Sequence, residues 1–130
     1  MNRLQLFPIS TKIENDTLTI AGHDLAALAE NYGTPLYLYD RATMDKAAAG
    51  YKSALASHYT STGSVRRPQP ASVTYAGKAF LNLAIAQWTK FHDLFVDCTG
   101  EGEIAIAVAG GVPREHILVH GVNKSTADLK

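Results

Sequence analysis

The chain has 130 residues, 46% of them hydrophobic, enough for one small packed domain and too apolar for a disordered segment. Twelve Lys and Arg balance twelve Asp and Glu, so formal net charge is zero, which argues against a general electrostatic grip on nucleic acid or an anionic membrane. No apolar run approaches the roughly 18 residues a membrane helix needs, and the opening MNRLQLFPIS has no signal-peptide core. The single cysteine, Cys98, leaves no internal disulfide and no cysteine-based zinc site; the expected setting is the cytoplasm.

Residues 1–22 read as short extended pieces, with Leu18 and Ile20 in a strand that ends at the turn Ala21-Gly22. His23 to Tyr32 has helical spacing, with Leu25, Leu28 and Ala29 on one face and Gly33 at the C′ position. Leu36-Tyr37-Leu38-Tyr39 reads as a compact strand, its tyrosines packed at a seam between elements. Asp40 is a good N-cap for a helix over 41–58, whose apolar stripe is Met44, Ala47, Ala48, Tyr51 and Leu55. The stretch 61–70 is a polar loop.

A repeating pattern follows. Strands are expected over 72–76, 94–96 and 117–120, with helices over 81–91 and 103–109 between them. Strand centres at Thr74, Phe95 and Leu118 lie 21 and 23 residues apart. That alternation predicts parallel βα units with strands covered on both faces. Ser125 opens a further helix, with Asp128 in the capping-box position, yet the sequence stops at Lys130. A complete eight-fold βα barrel needs roughly 250 residues, so the chain is expected to be the N-terminal part of a larger protein.

Three strand ends bring polar residues to one face, where parallel α/β folds build their sites. Tyr75-Ala76-Gly77-Lys78-Ala79 sets a lysine among small neighbours that leave room for a flat ligand, and a lysine amine condenses with aldehydes such as pyridoxal phosphate. Taken alone, a lysine at a strand end is more commonly a surface charge. Asp97 and Glu103 bracket a glycine-containing turn after the second strand, and Glu103 also suits the first turn of a helix for its charge alone. Gly100-x-Gly102 lacks the third glycine of a dinucleotide fingerprint. His120-Gly121-Val122-Asn123-Lys124-Ser125 ends the third strand with a titratable ring. His116 and His120 are four apart, but Pro113 and the strand pattern deny them a helix, so no metal site is expected. Cys98 is expected to be a small buried hydrophobe.

These motifs resemble the diaminopimelate decarboxylases, among the fold-type III pyridoxal-phosphate enzymes. Gly33-Thr34-Pro35-Leu36-Tyr37-Leu38-Tyr39-Asp40 is similar to that family's opening segment. Tyr75-Ala76-Gly77-Lys78-Ala79 resembles its cofactor-lysine motif, YAxKAN. Asp97 to Glu103 resembles its second strand-end motif, and the run from Gly111 through His120 to Ser125 its third. Phe80, Gly100 and Val122 depart from the family's usual Asn, Ser and Asn.

The resemblance implies an α/β fold, the N-terminal part of an alanine-racemase-like (β/α)8 barrel, incomplete in this chain. Residues 1–35 would pack with a later C-terminal β-domain, and 36–130 would form the first βα units. It implies a lyase with pyridoxal 5'-phosphate as cofactor, removing a carboxylate from meso-2,6-diaminopimelate to give L-lysine. Lys78 would be the catalytic residue and hold the cofactor, with Asp97, Glu103 and His120 near it. The implied partners are a small amino-acid substrate and a second copy in a homodimer, with neither nucleic acid nor membrane. Much of the family's site comes later in its sequence, so the fragment alone is expected to be inactive. The alternatives are a sister decarboxylase of ornithine, arginine or carboxynorspermidine, and a non-catalytic homologue that binds partners, for which Phe80 and Gly100 speak.

Overall fold

The structure, a computed structural model, describes residues 3–59, 71–121 and 125–126. The polar loop over 61–70 and the helix expected after Ser125 lie outside the described residues. The chain divides into two compact units, Met1–Gly50 and Tyr51–Lys130. No helix among the described residues is long and apolar enough to cross a membrane.

The first unit opens with a 3-10 turn, Arg3–Leu6, and an antiparallel meander of β1 (Thr11–Glu14), β2 (Thr17–Ile20) and β3 (His23–Asp24). Two-residue turns join the strands, and all four of their residues take left-handed φ: Asn15 at 50°, Asp16 at 59°, Ala21 at 51° and Gly22 at 80°. These turns match the right-handed twist of a hairpin. Helix α1 runs Leu25–Tyr32, two residues shorter at its start than the spacing predicts, because His23 and Asp24 pair with β2. Asp24 caps the helix instead, its carboxylate accepting from the Ala26 and Ala27 amides at 2.7 and 3.2 Å. Gly33, at φ 81°, ends it.

Leu36–Tyr39 does not form the expected strand. An extended run becomes a strand only when a neighbour takes up its amides and carbonyls, and no described strand pairs with it. Tyr37 is 86% exposed rather than packed at a seam. Helix α2 then spans Arg41–Tyr59, capped as expected by Asp40, which accepts from the Thr43 amide at 2.9 Å and the Ser10 hydroxyl at 2.7 Å. The Thr43 and Ser10 hydroxyls hold the buried Asp40 carboxyl below the ordinary carboxylate range. Of the predicted stripe, Ala48 is buried, but Ala47 and Tyr51 are exposed.

The second unit carries the predicted alternation: β4 (Thr74–Ala76), a 3-10 turn (Gly77–Ala79), α3 (Leu83–Phe91), β5 (Phe95–Cys98), α4 (Glu101–Ala109), a 3-10 turn (Arg114–His116) and β6 (Ile117–Val119). The sheet order is β4-β5-β6, and both pairings are parallel. Thr74 pairs with Phe95 and Val96 with Ile117, each step 21 residues of chain. Successive side chains alternate faces. Val96 and Cys98, fully buried, pack with Ala86, Ala107 and Val112 under the helices. The helices lie close: a Cβ on Gly110 would stand 2.4 Å from that of Ala86. The opposite face bears Thr74, Ala76, Phe95, Asp97 and Leu118. Thr74, Ala76 and Leu118 are exposed, so the expectation of strands covered on both faces holds only on the helix side among the described residues.

Candidate active site

The C-terminal rim of the parallel sheet is built from three loops. β4 gives way directly to the turn Gly77–Ala79, with Lys78 exposed at its centre. Gly77 is buried, and a Cβ there would lie 2.8 Å from the Asp97 carbonyl oxygen and 3.4 Å from Glu103 Oε2. Only a residue without a side chain lets the turn settle this close to the neighbouring strand. Lys78 therefore stands at the same rim as Asp97 and Glu103, beside the small residues Gly77 and Ala79.

Asp97 lies within β5, not in the turn after it, because the ladder with β6 continues to the pair Cys98 and Val119. It shares the face of the sheet away from the helices with Ala76 and Leu118, its register neighbours. His120 follows β6 directly, and its Nδ1 meets Asp97 Oδ1 across the rim. His116 and His120 thus flank the two ends of β6 and do not converge. Among the described residues, no group of three His, Cys, Asp or Glu side chains could hold a metal ion.

Glu103 sits in the first turn of α4, near its positive end. Gly100, at the N-cap, has no side chain to offer the helix. Glu103 reaches back instead, accepting from the Thr99 amide at 2.7 Å and the Thr99 hydroxyl at 3.2 Å. The carboxylate thereby fixes the loop after β5 and borders Gly77 as well. Cys98 is buried as expected, and burial, aided by the Glu103 and Asp97 charges, pushes its thiol up to about 11. Such a thiol is protonated and inert at neutral pH.

The residue types fit pyridoxal phosphate: an exposed primary amine between small neighbours, with two carboxylates and an imidazole at the same rim. The described rim supplies no arginine and no glycine-rich phosphate cradle. Sequence reasoning gave no role to the Tyr75 hydroxyl, which donates to the Phe80 carbonyl at 2.6 Å across the Lys78 turn. The signal available was an aromatic residue with a hydroxyl three positions before the lysine.

Residues 55–130 match the family described as pyridoxal-dependent decarboxylase, pyridoxal binding domain. The diaminopimelate decarboxylase of Bacillus subtilis is 40% identical over 121 residues, which is 93% of this chain and 26% of that protein. That of Corynebacterium efficiens is 35% identical over 90% of this chain and 23% of its own length. Among solved structures, diaminopimelate decarboxylase from M. jannaschii superposes with a TM-score of 0.80 at 29% identity, over 92% of this chain and 26% of that one. A second structure of that enzyme, in complex with L-lysine, gives 0.77 at 27% identity, over 93% and 27%. The chain spans about a quarter of the length of the curated relatives it matches.

Proposed function

The chain belongs to the pyridoxal-dependent decarboxylases, its residues 55–130 matching their pyridoxal binding domain, and from that premise we propose that it forms the opening βα units of a cofactor-binding barrel in which Lys78 holds pyridoxal phosphate. The observation that carries this reading is the placement of an exposed lysine on a turn whose glycine is packed against the Asp97 carbonyl and the Glu103 carboxylate. When bound, the cofactor supplies an electron sink for the pair left when a carboxylate departs. Lys78 would hold the group through its side-chain Nζ, a primary amine being able to condense with an aldehyde. Glu103 keeps the loop after β5 in place through Thr99, and the contact between Asp97 and His120 ties the rim ends of β5 and β6 together.

The proposed reaction is decarboxylation of meso-2,6-diaminopimelate to L-lysine. It is supported by curated relatives that are diaminopimelate decarboxylases and by a similar structure solved with L-lysine. A homodimer of the whole protein, and a first segment (residues 1–35) that packs with a later β-domain, belong to the same proposal, as does the inactivity of these 130 residues alone. The test is to incubate the chain with pyridoxal phosphate, fix it with borohydride and map the modified lysines by mass spectrometry. Label concentrated on Lys78, and lost from the digest in Lys78→Ala without rising elsewhere, is expected. Label spread evenly over all seven lysines would overturn the assignment. Carbon dioxide release from diaminopimelate by the isolated chain would overturn its predicted inactivity.

A further inference from the structure

We propose that Tyr75 is a positioning residue for Lys78, bracing the far end of the turn that carries the amine. Tyr75 lies in β4 opposite Val96, on the helix-facing side of the sheet. Its ring meets Trp88 of α3 edge-on, with centroids 6.0 Å apart and planes at 74°. That contact fixes the ring, and the ring aims the hydroxyl. The hydroxyl donates to the Phe80 carbonyl at 2.6 Å, closing the chain from Tyr75 to Phe80 into a loop. Phe80 is extended (φ −175°, ψ 121°) and leads on to the start of α3.

The turn is therefore held at both ends. At its start, Gly77 is packed against the Asp97 carbonyl oxygen, with no room for a Cβ. At its finish, the Tyr75 hydroxyl grips the carbonyl one residue past Ala79. A turn of three residues pinned on both sides has little freedom to swing its middle side chain's origin. A reacting amine needs that: a misplacement of about 1 Å can cost on the order of a hundredfold in rate. The same strand residue that packs the sheet against α3 thus sets where Lys78 begins. The inference rests on the reading of Lys78 given above, and goes beyond it by naming what holds that lysine's backbone.

The test is Tyr75→Phe in the full 130-residue chain, which keeps the ring on Trp88 and removes only the hydroxyl. Amide hydrogen exchange over 77–80 is followed, with the β5 segment 95–98 as the control for the fold. In parallel, pyridoxal phosphate fixed by borohydride is quantified on Lys78 relative to Lys90 in the same sample. The brace predicts exchange over 77–80 faster by about tenfold, the loss of one hydrogen bond of roughly 1.4 kcal/mol, with 95–98 unchanged. It also predicts a several-fold fall in the Lys78 to Lys90 ratio. Unchanged exchange over 77–80 overturns the brace whatever the labelling does. Faster exchange with an unchanged ratio overturns the positioning role. Equal labelling of Lys78 and Lys90 in the unaltered chain overturns instead the reading of Lys78 on which the inference rests, so the two failures are told apart.

Discussion

The two ends of the parallel sheet carry the same three residue types. At the C-terminal rim stand Lys78, Asp97 and His120; at the N-terminal rim stand Lys52, Asp93 and His116. Asp93 precedes Asp97, and His116 precedes His120, by four residues. What each set does differs. Lys52 Nζ donates to the His92 carbonyl at 2.8 Å, satisfying the C-terminal cap of α3, where a cation is favoured. His116 stacks on Phe95, with centroids 4.4 Å apart and planes at 20°, and its Nδ1 lies 3.7 Å from Asp93. That rim spends its amine and imidazole on holding elements together. The other rim faces the N-terminal ends of α3 and α4 and sets its lysine, exposed, on a turn packed at one end and hydrogen-bonded at the other. Residue identity does not separate a site from a structural cluster; strand direction and the neighbouring backbone do.

The largest test of that contrast is Gly77→Ala. The added Cβ meets the Asp97 carbonyl oxygen, a backbone atom that cannot step aside without moving β5. Overpacking of this kind costs about 1–3 kcal/mol, measurable by urea denaturation. Borohydride-fixed pyridoxal phosphate on Lys78 should fall by about tenfold or more as the turn shifts. Unaltered labelling would mean the rim tolerates the turn in several positions. A smaller crossed pair of variants separates the two histidines. His116→Ala removes the stack on Phe95, a loss of about 1 kcal/mol of stability, and leaves the ratio of label on Lys78 to Lys90 unchanged. His120→Ala removes the exposed contact with Asp97, so it should lower stability by about 0.5 kcal/mol and that ratio by about twofold, the low end for one lost hydrogen bond. If the two variants behave alike, the rims are not functionally distinct.

The parallel strands and their βα spacing were readable because burial between helices and pairing with close neighbours both act over some twenty residues of sequence. Lys78, Asp97, Glu103 and His120 were readable as strand-end residues for the same reason. The composition of Leu36–Tyr39 favours a strand but says nothing of whether a partner strand is present. That β5 runs on through Asp97 is not legible, because the ladder's length depends on β6, a segment 20 residues away in sequence. Helical spacing alone does not show the start of α1, because the two-residue turn at Ala21-Gly22 brings His23 and Asp24 back alongside β2. The Tyr75 hydrogen bond is not legible in sequence, because a side-chain bond to a carbonyl five residues on exists only once the 3-10 turn has formed.

A further expected effect concerns charge at the C-terminal rim. Burial, then Glu103, then Asp97 raise the Cys98 thiol from 9.0 to about 11. A group whose folded value lies above its unfolded one stabilises the fold fully below the unfolded value, here about pH 9. That contribution is lost as pH rises through the folded value near 11. Urea midpoints measured from pH 8 to 11 should therefore converge for the wild type and Cys98→Ala, the wild type losing its lead in that window. Glu103→Gln removes the carboxylate that acts more strongly on the thiol, so in that background the convergence should be weaker. Midpoints of the wild type and Cys98→Ala that stay parallel across the window would mean that Cys98 does not feel the rim's carboxylates, and that the charge gathered around Gly77 does not reach the core beneath it.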